Sequence, residues 1–153
     1  MRFPAPWKWL FTAVVLSLCP MWGVASTSED MIGCYATERN GQASFRFYLD
    51  GGAVFWTVRR RSGWQKQESV AQVVDIRRPH PDLPVETLEK VEGMLDMGDM
   101  FFLIKFKDDR IQDVTGRGDF AHGIELMKRS GSPFLISANG VGPVFRVACE
   151  EKK

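Results

Sequence analysis

His80 and His122 are the only imidazoles in this 153-residue chain, so acid–base or zinc chemistry must be built around them. His122, which lies near Asp119 and Glu125 in sequence, could join Asp119 and His80 in a zinc or acid–base site. The spacing argues against it: His80 stands between Pro79 and Pro81, and neither histidine belongs to a recognisable ligand pattern. Ser62 and Ser132 lie next to glycines but lack the strand–turn–helix setting of a nucleophile elbow. Gly116-x-Gly118 is too short to cradle a phosphate. A small hydrolase or metal enzyme using His122 therefore stays a minor alternative, with no cofactor, no metal and no assigned catalytic residue.

Recognition chemistry has more to work with. Arg59, Arg60 and Arg61 run into Ser62-Gly63-Trp64, and Arg77 and Arg78 follow at the end of the next apolar run. Arginines beside an aromatic are the composition of an interface hot spot and can hold carboxylates in bidentate fashion. The plainer role for the same residues is a charged edge that blocks strand-to-strand association. The second feature is aromatic load: Phe47, Trp56, Phe102 and Phe120 fall on the apolar parity of their segments. They would either fill a small barrel or line a pocket for a small apolar ligand.

Location comes from the first twenty-five residues. Arg2 and Lys8 precede an apolar block, Leu10–Leu18, and the segment ends in Gly23-Val24-Ala25. This is the layout of a secretory signal peptide, cleaved after Ala25, and too short for a comfortable membrane span. Residues 26–153 then form one exported domain, periplasmic or secreted. Loss of Arg2 and Lys8 lowers 20 basic residues to 18 against 19 acidic ones, for a net charge of −1. That balance gives no reason to expect nucleic acid as a partner. Cys34 and Cys149 remain as an even pair in an oxidising compartment, and a disulfide is expected between them.

The elements that must position these groups are mostly strands. Ser44–Asp50 alternates Phe45, Phe47 and Leu49 against Arg46 and Tyr48, and Asp50-Gly51-Gly52 suits a tight hairpin into Ala53–Arg60. Trp64–Ile76 is a run long enough to hold a bulge or bend. Leu88, Val91, Met94 and Leu95 recur at helical spacing behind Pro84, which predicts an amphipathic helix over 84–97. Strands resume at Met100–Lys107, weakly at Arg110–Thr115, at Phe120–Leu126 and Phe134–Ser137, and finally from Val141 to Cys149. The fold class is mainly β: a small antiparallel barrel, or a sandwich, of about eight strands with one inserted helix.

Gly33-Cys34-Tyr35, followed by Phe45-x-Phe47-x-x-Asp50-Gly51 and Trp56, resembles the opening of bacterial lipocalin-like (calycin-type) domains, with Tyr35 where the family usually has Trp. The resemblance covers residues 33–56. It implies a barrel and transfers no binding residues; the family usually places its main helix late, whereas the helix predicted here, over 84–97, sits in the middle. The function expected is that of a non-catalytic exported binding protein, holding a small apolar ligand or an envelope or extracellular protein. The alternative is a periplasmic inhibitor or immunity-type protein that blocks a toxic enzyme by surface binding.

Overall fold

A computed structural model describes residues 29–150 apart from Asp82 and Asn139, so the expected signal peptide and its cleavage point lie outside the described residues. The architecture is mainly β, with nine antiparallel strands in one curled, barrel-like sheet. The strands are β1 (Gly33–Ala36), β2 (Phe45–Asp50), β3 (Ala53–Arg60), β4 (Gly63–Lys66), β5 (Gln72–Val73), β6 (Val91–Asp96), β7 (Phe102–Phe106), β8 (Phe134–Ser137) and β9 (Val141–Val147). Their order across the sheet is β4-β3-β2-β1-β9-β8-β7-β6-β5. One sheet with a single continuous order leaves the barrel-like form in place of a two-sheet sandwich.

The curl brings both edges to the same stretch of chain. β4 pairs with β3 and β5 pairs with β6, while Ala71 N–H donates to Val54 O at 2.8 Å and Val74 N–H to Met94 O at 3.0 Å. The predicted long run after Trp64 is thus one bent segment that spans the gap between the first and last strands of the order. The sheet is thus a curled half-barrel with β4 and β5 as its end strands, and this segment covers part of the edge between them.

The sheet is buried on two faces over part of its width. Its inner face carries Tyr35, Phe47, Val54, Trp56, Leu95, Leu103, Phe134 and Val144. Met31 plugs one end of this core, and Tyr35 Oη donates to its carbonyl at 2.9 Å. Arg146 fastens the same end, donating to Ile32 O at 2.6 Å and Asp30 O at 3.2 Å. On the outer face of β6–β9 a second core forms from Met94, Ile104, Phe106 and Leu135 against Ile111, Ile124 and Met127.

That second core explains where the periodicity misleads. The helix expected over 84–97 is instead a single turn, α1 (Val85–Leu88), followed by β6. Val91 and Met94 face the outer core and Leu95 the inner one, and the register shifts between Val91 and Gly93. Two-sided burial plus a bulge removes strict alternation and leaves apolar residues at spacings that mimic a helix. Conversely, the strand expected over Phe120–Leu126 is α2 (Asp119–Ser130), with Gly123, Ile124 and Met127 buried. Asp119 in its first turn, Lys128 and Arg129 in its last, and left-handed Gly131 after it are the helix signals that the parity of Phe120, Ile124 and Leu126 concealed. Arg110–Thr115, expected as a weak strand, lies mostly in a 3-10 turn over Asp108–Asp113. The main helix is late in the chain.

Gly123 is where α2 meets β9. A Cβ there would lie 2.9 Å from Val141 O and closer still to the Val141 side chain. Replacement of an interior helical glycine by alanine normally gains about 1 kcal/mol of helix propensity. Here Gly123→Ala is expected to lower stability by about 1–3 kcal/mol, because overpacking outweighs that gain. Urea denaturation monitored by far-UV circular dichroism measures the sign.

Candidate functional site

A cavity of about 1470 Å³ runs from the inner face, at Phe45, Trp56, Val58, Met97, Phe101, Ile136 and Ala138, past the strand ends to Pro143 and Phe145 and to Leu126 and Arg129 of α2. Strand pairing explains why these residues converge. Phe47 faces Trp56 and Phe45 faces Val58 across β2–β3, on the same inward parity. Ile136 faces Gly142 across β8–β9, and a Cβ at Gly142 would meet nothing within 4 Å. The missing side chain at Gly142 therefore leaves space in the wall.

Trp56 ties the mouth together. Its indole N–H donates to Ser69 O at 3.1 Å and to Ser69 Oγ at 3.2 Å, holding the bent segment beside the opening. Across the mouth, Gly98, Asp99 and Met100 all adopt positive φ (81°, 50° and 63°), and Met100 is 73 % exposed. Non-glycine residues in that region are strained, so the β6–β7 turn holds Asp99 and Met100 against their preference. Asp96 Oδ1 accepts from Gly98 N–H at 2.8 Å and Met100 O accepts from Ser137 Oγ at 3.0 Å, which fixes the turn.

The rim is charged. Arg59, Arg60, Lys66 and Arg129 line the opening, with Glu68 and Asp99 as its carboxylates. Arg59 is engaged, lying over the Trp64 ring at 5.7 Å and 3.4 Å from Glu150 Oε2. Arg60 follows the inward parity of Trp56 and Val58 and is exposed at the mouth. The site can thus offer an apolar floor beneath cationic heads, an arrangement that suits a molecule with an apolar body and an anionic end.

The expected interface residues divide. Arg59, Arg60, Arg61 and Trp64 surround the β3–β4 turn, whereas Arg77 and Arg78 sit beyond β5 on Asp75, at 2.8 and 3.4 Å. Hydrogen bonding from Arg77 holds the exposed Asp75 carboxyl below its usual range. The expected pocket residues divide as well. Phe47 and Trp56 stack in the inner core with centroids 6.3 Å apart, and Trp56 reaches the cavity. Phe102 and Phe120 meet at 6.4 Å in the outer core. Phe120 lines a smaller cavity there of about 370 Å³, together with Pro84, Thr115 and Ile124.

His122 is exposed on α2, and His80 is half-buried with its ring edge-on to Phe102 at 5.7 Å. Cys34 and Cys149 are bonded, with Cα atoms 5.2 Å apart. Cys34 pairs with Arg46 while Tyr35 takes the inner face, so the bond clamps the barrel from outside. Sequence reasoning missed Phe101, Ile136 and Gly142 as cavity residues, since no local pattern distinguishes a cavity-wall residue from one in the filled core.

No family model, curated protein sequence or solved structure matches the chain.

Proposed function

We propose that this protein is a non-catalytic binding protein that takes a small, largely apolar molecule with an anionic end into the cavity of its curled sheet. The observation that carries the reading is the cavity itself, walled by Phe45, Trp56, Val58, Phe101 and Ile136 and rimmed by Arg60, Lys66 and Arg129. Ligand sites of this type combine a mainly apolar wall with a few polar groups that fix orientation. The Cys34–Cys149 bond suits an exported protein in the periplasm or outside the cell.

Dodecanoate is a suitable probe, having a flexible apolar chain and one carboxylate. Saturable binding by isothermal titration is expected. Gly142→Leu places a side chain where a Cβ has open space, so it should fill the cavity without a clash. The expected result is at least a tenfold loss of dodecanoate affinity with an unchanged circular dichroism spectrum. Equal affinity in Gly142→Leu, or no saturable binding by the native protein, would refute the reading.

A further inference from the structure

The outer face of the sheet is covered unequally. Over β7–β9 it is roofed by α2 and the 3-10 turn, and over β2–β4 no helix of the described residues covers it. The bare half has a regular composition. Arg46, Thr57 and Lys66 are cross-strand neighbours in one row, Arg59 and Trp64 form the next, and Tyr48 and Phe55 the one on the other side. Each cation lies over an aromatic: Arg46 over Tyr48 at 5.7 Å, Lys66 over Phe55 at 4.1 Å, and Arg59 over Trp64 at 5.7 Å.

Two observations point to what this face receives. Thr57 is buried, and its Oγ1 has no hydrogen-bond partner, alone among buried side-chain polar atoms of the described residues. Such an orphan is costly, and its row neighbours Arg46 and Lys66 carry only donors. What the row lacks is an acceptor with negative charge. One carboxylate already occupies the adjoining row: Glu150, three residues beyond the end of β9, reaches Arg59 at 3.4 Å. Arg46 and Lys66 are exposed and have no carboxylate of their own among the described residues.

We propose that this face docks an acidic segment of a partner protein, with a carboxylate held by Arg46 and Lys66 and accepting from the Thr57 hydroxyl. The aromatics stiffen the long cationic side chains over the sheet, and a pre-positioned cation loses less freedom on binding. The surface adjoins the cavity at Arg59 and Lys66, which also stand on its rim, whereas Arg46, Thr57, Tyr48 and Phe55 are not in the cavity wall.

A hexaglutamate peptide tests this by titration against the whole protein at low and at physiological salt. Saturable binding that weakens with salt is expected. Arg46→Ala with Lys66→Ala should weaken it at least tenfold, and Thr57→Val should weaken it about threefold while raising the melting temperature, because the orphan hydroxyl is gone. A merely structural Thr57 would move the melting temperature alone. Gly142→Leu should bind the peptide as the native protein does, which keeps this result apart from the cavity reading. The proposal is overturned by absence of binding at low salt, by undiminished binding in the double variant, or by tighter binding of a thymidine hexanucleotide than of hexaglutamate.

Discussion

Reduction of the Cys34–Cys149 bond is expected to lower the unfolding free energy by about 4–5 kcal/mol. The two cysteines are 115 residues apart in sequence, so the bond encloses nearly the whole described domain. In the unfolded chain it forbids every conformation in which the two ends separate, and its removal returns that entropy. In the folded chain little changes, because β1 and β9 stay hydrogen-bonded with Cys34 opposite Val147. The melting temperature should fall by roughly 10–20 °C for a domain of this size. Thermal melts with and without reductant, repeated on Cys34→Ser, measure it. Equal melts would show that the bond does not form or does not constrain the unfolded chain.

The second large effect centres on Tyr35. It is fully buried on the inner face, edge-on to Phe47 at 5.8 Å and to Phe134 at 5.1 Å. Tyr35→Ala is expected to cost about 3–5 kcal/mol, the range for deleting a large buried aromatic. The hydroxyl adds a pH dependence. Burial pushes its pKa from 10.0 up to about 12, with nearby Arg146 opposing the shift and Asp30 adding to it. The unfolded chain therefore releases this proton first as pH rises, and it binds fewer protons than the native state between pH 10 and 12. Stability contributed by the neutral phenol is full below pH 10 and is lost progressively as pH rises through about 12, by about 2–3 kcal/mol. Tyr35→Phe removes the titrating group and should lack this alkaline component, at the expense of the bond to Met31 O. Urea titrations at pH 9 and pH 11.5 on both proteins read the difference. An equal alkaline loss in Tyr35→Phe would assign the effect elsewhere.

What the amino-acid order conveyed by itself was local. Asp50-Gly51-Gly52 between two alternating runs defines the β2–β3 hairpin, and the observed β3, Ala53–Arg60, has the span its alternation predicts. Phe45, Phe47, Val54, Trp56 and Val58 share the inner face that their parity assigns, because this half of the sheet has one buried face and one wet one. The cysteine pairing was legible too, as an even pair expected in an oxidising space.

The other half of the molecule was decided by tertiary contact. Between Val91 and Phe106 both faces of the sheet are buried, so hydrophobicity stopped reporting which side a residue faces, and β6 looked like a helix. In α2 the apolar residues Phe120, Ile124 and Leu126 alternate by coincidence, although it is Gly123, Ile124 and Met127 that dock on the sheet. The cavity is also a product of closure. Trp56, Phe101, Ile136 and Gly142 come from four separate segments of the chain, and only the curl of the sheet brings their inward faces around one space. Periodicity records how each segment divides between water and core; it holds no information on which distant segment will stand opposite, and the cavity is made by that meeting of distant segments.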